Sequence, residues 1–180
     1  MITVDDSIQL NKLKITDAPD IFNIIDNQRD YLGKWLPFVP LTKQLSDSEQ
    51  FVKSVLNTPL ERLEFTFAIR KNDELVGIIG NKNTDKLNKK TEIGYWLSKD
   101  FQGQGIITKS VMKLCEFIFH KLNFNRIEIK CAVGNTPSSN IPKKLGFAFE
   151  GIERQGEWIK DAIYYDIEVY SKLKSEFVSS

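Results

Sequence analysis

Apolar and polar positions alternate through the middle of the chain. Phe65, Phe67 and Ile69 alternate with Thr66, Ala68 and Arg70, which predicts a strand with one buried face. Lys71-Asn72-Asp73-Glu74 then reads as a hairpin turn into a second strand over residues 75–81. A polar loop over 84–90 precedes another strand over 91–98, and Ile127, Ile129 and Cys131 alternate with Glu128 and Lys130 in a further one. The period changes to helical in between. Ile107, Val111, Leu114, Cys115, Ile118 and Leu122 form a single stripe.

The flanks follow the same logic. Residues 7–14 alternate weakly, with Ile8, Leu10 and Leu13 inward, and read as a first strand. Residues 16–32 predict a helix with Ile21, Ile24, Ile25 and Gln28 on one face and Thr16 as N-cap. Leu36-Pro37-Phe38-Val39-Pro40 breaks it. Ser46 and Glu49 stand in the i, i+3 relation of a capping box for a helix running towards Leu56, which stops near Asn57-Thr58-Pro59. A short helix ends at Leu145-Gly146-Phe147, and two strands, around 148–156 and 162–172, close the chain. Hairpins come first, one β–α–β crossover lies in the middle and a hairpin ends it. That order predicts an α+β fold rather than a doubly wound sheet.

The glycine-containing segment Phe101-Gln102-Gly103-Gln104-Gly105-Ile106-Ile107-Thr108 sits between a strand and the crossover helix. The first N–H groups of a helix lack intrahelical partners, and the helix dipole adds partial positive charge, so such a turn suits anionic oxygens. Gly103 and Gly105 admit a pyrophosphate without a Cβ in the way. Three motif families share this physics. A phosphate loop of the Walker type needs Gly directly before Lys-Ser, and here Thr108 precedes Lys109-Ser110. A dinucleotide fingerprint needs a third glycine where Thr108 stands, and an acidic residue at the end of the next strand, whereas Glu128 lies inside it. The pyrophosphate loop of acyl-CoA transferases matches Gln102-Gly103-Gln104-Gly105, with Ile107 in place of the usual small residue.

Composition narrows the class. The 180 residues suffice for one sizeable core, and we expect one domain over 1–180 with 1–7 and 173–180 as tails. Apolar residues make up 41% and charged residues 27%, as in ordinary globular proteins. A net charge of +1 builds in no attraction to nucleic acid or anionic membranes. No apolar run approaches a membrane span, and Met1-Ile2-Thr3-Val4-Asp5-Asp6 has neither the basic start nor the apolar stretch of a leader. Cys115 and Cys131 read as small core residues, not a disulfide, so a cytoplasmic setting is expected.

Taken together, the motifs resemble the GNAT superfamily of acyl-CoA-dependent N-acyltransferases, and within it the ribosomal-protein N-terminal (serine/alanine) acetyltransferase branch. The resemblance rests on Arg29-x-x-Leu32-x-x-Trp35-Leu36-Pro37, Glu92-Ile93-Gly94-Tyr95-Trp96-Leu97, the loop from Gln102 to Thr108, Asn135-x-x-Ser138 with Lys144-Leu145-Gly146-Phe147, Gly151-x-x-Arg154 and Tyr164-Tyr165-Asp166. It covers roughly residues 8–172. It implies a mixed, mostly antiparallel twisted sheet with helices on both faces and a splayed central strand. The implied co-substrate is acetyl-CoA, without a metal, and the implied reaction is acetyl transfer to a primary amine. Its acceptor would be the N-terminal α-amino group of a protein, or else a polyamine, amino acid or aminoglycoside. A CoA-binding module without turnover and a homodimer are also compatible with it.

Residue roles carry over by the same resemblance. Trp96, Leu97 and Ser98 would offer backbone groups to the pantetheine arm and the thioester oxygen. Gln102, Gly103, Gln104, Gly105, Ile106 and Thr108 would hold the pyrophosphate, and Asn135 would position pantetheine or acceptor. An α-amino group of pKa about 7.7–8 must lose a proton to react. Glu157 aligns with a glutamate assigned as base in part of the ribosomal-protein branch, and Glu92 with a position that often serves through water; a solvated hairpin residue and a cross-strand partner are the plainer alternatives. Much of the superfamily carries a Tyr where this chain has Pro142, and Ser138 is the implied substitute at the leaving sulfur, or simply a helix cap. Trp35 and Phe38 would line the acceptor pocket or plug a corner. Asp26, Asp30 and Asp47 are the carboxylates available to an acidic pocket for a polycation. Lone His120 and Tyr164 are weaker catalytic candidates.

Overall fold

The alternating segments pair into one eight-stranded sheet in the computed structural model, which describes residues 1–160 and 162–177. The strands are β1 (Ile2–Thr3), β2 (Ile8–Lys12), β3 (Thr66–Lys71), β4 (Glu74–Asp85), β5 (Lys90–Leu97), β6 (Arg126–Ala132), β7 (Ala148–Lys160) and β8 (Ile163–Leu173). Their spatial order is β1-β2-β3-β4-β5-β6-β8-β7, antiparallel everywhere except between β5 and β6. The β3–β4 turn places Asn72 and Asp73 at φ 48° and 67°, the twist-matched geometry of a two-residue hairpin. Ile2 and Thr3, within the segment expected to be a tail, form a short edge strand on β2.

Among the described residues five α-helices cover the two faces: α1 (Ala18–Asn27), α2 (Arg29–Leu32), α3 (Leu45–Leu56), α4 (Ile106–Glu116) and α5 (Thr136–Lys144). Ile21, Ile25, Leu32 and Val52 from α1–α3 pack with Leu13, Ala68, Leu75 and Ile78 on one side. Ile106, Val111, Leu114 and Cys115 from α4 pack with Leu10, Phe67, Ile69, Ile93, Ile127 and Ile129 on the other, where Ile141 of α5 and Leu145 just after it join them. Helical and strand periods thus each find their complementary layer.

Three local expectations need correction. The helix expected over 16–32 is interrupted at Gln28, whose φ of −129° and ψ of 29° are not helical. The Gln28 amide is held by the far side of the chain: its Nε2 donates to Ser98 Oγ at 2.9 Å and its Oε1 accepts from Lys99 N at 2.8 Å. The residue at the N-cap of α1 is Asp17, not Thr16, and its carboxylate turns back instead of capping: Oδ2 accepts from Lys14 N at 2.8 Å, closing the turn before α1, while Oδ1 pairs with Arg70 at 2.5 Å. The α3 start lies earlier than Ser46. Asp47 is the capping carboxylate, accepting from Lys43 N at 2.8 Å and Gln44 N at 3.0 Å. The carboxylate that reached two orphan N–H groups prevailed over the Ser46–Glu49 spacing.

The feature that positions the site is the separation of β5 from β6. They pair in parallel at Lys90↔Arg126, Thr91↔Ile127, Glu92↔Glu128 and Ile93↔Ile129. Beyond Ile93, β5 stays on β4 through Leu97, while β6 continues along β8 to Ala132. The backbone of Gly94–Leu97 that faces β6 therefore belongs to no ladder, and the wedge between the strands opens at mid-sheet. The expected splayed central strand is present.

Candidate active site

Two cavities meet at this wedge. The first, of about 350 Å³, runs from the wedge to the start of α4 and is lined by Tyr95, Trp96, Leu97, Gln102, Gly103, Gly105, Ile106 and Thr108, with Lys144 of α5 adding positive charge. The second, of about 560 Å³, lies on the α1–α3 side and holds Trp35, Phe38, Phe51, Glu92, Glu153 and Glu157. Six residues line both: Trp35, Leu36, Tyr95, Trp96, Asn135 and Ser138. Their shared wall is the natural place for a group to pass from one ligand to another.

The phosphate-side geometry follows from the glycines. Gly103 and Gly105 take φ of 72° and 73°, a left-handed conformation that side chains with a Cβ resist. A Cβ at either would meet nothing within 4 Å, so it would project into open space. Gly105 is the N-cap of α4 and brings no side chain to its first-turn N–H groups, and no acidic residue sits in that turn. The donors of Ile106, Ile107 and Thr108 are left for an anion, as a diphosphate requires. Opposite, Tyr31 bonds Gln102 through its hydroxyl and joins the wall.

Other residues expected here are used differently. Ser98 is buried and outside the cavity lining, with its Oγ taken by Gln28 and its N–H bonded to Val76 O at 2.8 Å. Gln104 turns away to Lys71. The fold thus brings Trp96, Leu97, Gln102, Gly103, Gly105, Ile106 and Thr108 together, but neither Ser98 nor Gln104.

At the junction, Asn135 caps α5, its Oδ1 accepting from Ser138 N at 3.4 Å. Ser138 is therefore not the cap. Its hydroxyl lies 3.4 Å from Cys131 Sγ and donates to Tyr95 Oη across 3.4 Å. Both distances are long, which leaves the hydroxyl free to turn towards a sulfur in the wedge. Burial, the Cys131 and Tyr170 charges and a Cys131 hydrogen bond push the Tyr95 phenol well above its ordinary pKa, against the pull of Ser138, and burial lifts the Cys131 thiol to about 11. Both stay protonated near neutral pH. Pro142 is buried inside α5 and carries no acid.

The second cavity gathers the carboxylates. Glu92, 8% exposed, holds Lys82 Nζ at 3.1 Å and accepts from Asn83 Nδ2 at 3.1 Å. Glu153 holds Lys130 Nζ at 2.9 Å. Glu157 arrives through an irregularity in β7. Glu153 pairs with Ile167 and Glu157 with Tyr165, so four steps on β7 oppose two on β8, and Gln155 at φ 50° bonds Asp166 through its N–H at 2.8 Å. Burial raises the Glu157 carboxyl above the usual glutamate range, opposed by Lys82 and Lys130 and reinforced by Glu92 and Glu153. Among the described residues it has no hydrogen bond or ion pair.

The aromatic wall is Trp35, packed on Tyr165 at 5.7 Å with the rings tilted by 49°, together with Phe38. Asp26, Asp30 and Asp47 line neither cavity; Asp26 pairs with Arg29 at 2.8 Å and Asp47 caps α3. His120 lies against Phe177 and Tyr164 is 52% exposed, both away from the wedge. Sequence reasoning missed Tyr31, Lys82, Lys130, Cys131 and Glu153. Of these only Lys130 and Cys131 carried a signal, their places on opposite faces of one alternating strand. Among the described residues no cluster of three His, Cys, Asp or Glu could hold a metal ion, and no helix is long and apolar enough to cross a membrane.

Known proteins resemble this chain in sequence and fold. The family model for the acetyltransferase (GNAT) domain matches residues 7–148. The ribosomal-protein-serine acetyltransferase of Escherichia coli (strain K12) is 30% identical over 172 residues, covering 96% of each chain. A microcin C7 self-immunity acetyltransferase solved with acetyl-CoA and AMP is 27% identical and superposes with a TM-score of 0.88 over 94% of each chain. A RimL ribosomal L7/L12 alpha-N-protein acetyltransferase, solved with coenzyme A in a disulfide to a cysteine, shares the fold at a TM-score of 0.90 and 23% identity, covering 96% of this chain and 97% of its own. The diphosphate-ready helix start, the open wedge and these likenesses agree: the chain belongs to the GNAT family and is an N-acetyltransferase that takes acetyl-CoA as co-substrate.

Proposed function

We propose that the chain acetylates the N-terminal α-amino group of a protein, with the first cavity as donor site and the second as acceptor site. The observation that carries this reading is Glu157, the single unpaired carboxylate among the described residues of a cavity of about 560 Å³ that opens onto the wedge. The volume is enough for the first few residues of an extended polypeptide. One carboxylate is what one α-ammonium needs. The ribosomal-protein-serine acetyltransferase relative supports the same acceptor class.

In this reading Glu157 takes the proton from the entering ammonium, aided by its raised pKa, which makes it a better base than an ordinary glutamate. The β6-facing N–H groups of Gly94–Leu97 stabilise the negative charge that develops on the carbonyl oxygen. Ser138, beside Cys131 and Tyr95, donates its hydroxyl to the departing sulfur. Trp35 and Trp96 confine both reactants at the junction, so that positioning supplies much of the rate. Glu92, tied to Lys82 and Asn83, shapes the cavity instead of carrying the proton.

The test is transfer of isotopically labelled acetyl from acetyl-CoA into a bacterial protein extract, with N-terminal peptides read by mass spectrometry. Label at one or a few protein N-termini is the expected result, and label confined to small amines would refute the acceptor assignment. Glu157→Gln should lower kcat by roughly a hundredfold with CoA affinity unchanged.

A further inference from the structure

The charges lining the acceptor cavity are unequal in availability. Among the described residues they are Lys82, Lys130, Glu92, Glu153 and Glu157. Lys82 lines the cavity with its side chain 56% exposed and pairs with Glu92, whose side chain is 10% exposed. Lys130, on β6, holds Glu153 across to β7. Asn83 takes the second oxygen of Glu92. Two of three carboxylates are thus neutralised by residues of the chain itself, and Glu157 alone is left. The ammonium groups of Lys82 and Lys130 stand where the further cations of a polycationic amine would have to sit.

We infer that the Lys82–Glu92 and Lys130–Glu153 pairs set the acceptor class, admitting amines with one cation at the reacting end and turning away polyamines such as spermidine. This deepens the proposed function and rests on its assignment of the second cavity to the acceptor. The physics is that of like charges. A second ammonium in the cavity finds no free carboxylate, meets two lysines and loses its hydration. An α-ammonium followed by a neutral peptide meets Glu157 and leaves its uncharged remainder against Trp35, Phe38 and Phe51. The lysines therefore act by exclusion, a repulsive element that separates two otherwise similar nucleophiles.

The inference predicts a gain of activity when the lysines are neutralised. Lys82→Met and Lys130→Met keep the apolar stems and remove the charges, which frees Glu92 and Glu153. Acetyl transfer from acetyl-CoA would be measured with a lysine-free hexapeptide beginning with serine and, separately, with spermidine. The native chain should prefer the peptide. In the double variant the ratio of spermidine to peptide kcat/KM should rise by roughly tenfold or more, the scale of one like-charge contact removed. Lys82→Gln and Lys130→Gln serve as a second pair should the methionines disturb folding, and retained CoA binding reports an intact chain. An unchanged ratio in both pairs, or a native chain that prefers spermidine, overturns the inference.

One further variant separates this outcome from failure of the parent reading. A Cβ at Gly94 would stand 3.6 Å from Lys82 Cε, in ordinary contact, so Gly94→Leu projects a side chain into the acceptor cavity. If that variant binds CoA and raises the peptide KM more than it lowers kcat, the cavity is the acceptor site and the lysine ratio decides the inference alone. Unimpaired transfer in Gly94→Leu, or turnover of neither amine by the native chain, removes the cavity assignment and this inference with it.

Discussion

The hydroxyl of Tyr95 donates to the main-chain carbonyl of Ser138 at 3.0 Å, and that carbonyl is the one a helix would ordinarily satisfy from residue 142. Residue 142 is a proline without an N–H. A phenol from the central strand therefore supplies the hydrogen bond that the α5 backbone lacks, at the turn that carries the Ser138 side chain. The same phenol accepts from Ser138 Oγ, so strand and helix are tied at the junction of the two cavities.

Tyr95→Phe should leave the Ser138 carbonyl without its donor and cost about 1–3 kcal/mol, the usual penalty for a stranded polar group. Adding Pro142→Ala restores a helical N–H. The double variant should then be more stable than Tyr95→Phe alone, as read by midpoints of chemical denaturation. Equal losses in the single and double variants would show that Tyr95 does not compensate Pro142.

Gly105 should be replaceable only at a cost to CoA binding. At φ 73° a residue with a Cβ is strained by about 1 kcal/mol, and Asn is tolerated better than Val. The cavity wall is also there, so bulk competes with the diphosphate. Titration calorimetry with CoA should rank native, Gly105→Asn and Gly105→Val in falling affinity, with Val weakest. An unchanged affinity for Gly105→Val would place the diphosphate elsewhere.

The pH profile should report Glu157. Its carboxyl sits above the usual glutamate range because burial disfavours the charged form, outweighing Lys82 and Lys130. As a base it works when deprotonated, so kcat/KM should rise with pH through an apparent pKa above that of a free glutamate, and Glu157→Gln should abolish that limb. Glu92 and Glu153 face it too, so lysine variants that unpair them should move the limb further up. Stability runs the other way. A raised native pKa means the folded chain binds the proton more tightly than the unfolded one, so this contribution is full below the unfolded value and fades as pH rises through the folded value. Thermal melts of Glu157→Gln at neutral pH should accordingly match or exceed the native chain, the mark of a group kept for chemistry at the expense of stability.

What the sequence makes legible is what local pattern encodes. Alternation at Phe67 and Ile69, the stripe from Ile107 to Leu122 and the pair Gly103/Gly105 each specify conformation within a few residues, and the fold follows them. Caps were harder, since Asp17 and Asp47 each had a competing neighbour and the choice turned on which oxygen reached two donors or a distant Arg70. Gln28 looked like one more residue on a helix face. Its break answers to Ser98 and Lys99, some seventy positions on, which no local period reveals. The site chemistry is the least local of all. Glu157 reaches the cavity only because four residues of β7 oppose two of β8, and Lys82 meets Glu92 only because β4 and β5 pair in that register.

The shared wall of the two cavities has a cost for anyone who would retune this protein. Trp35, Leu36, Tyr95, Trp96, Asn135 and Ser138 border donor and acceptor alike, so no change there acts on one alone. A longer acyl chain would extend past the wedge into the space of the amine, and a wider acceptor would crowd the acyl group. Acyl length and acceptor bulk are therefore traded against each other within one fixed volume, and selection for either should appear as a compensating loss in the other.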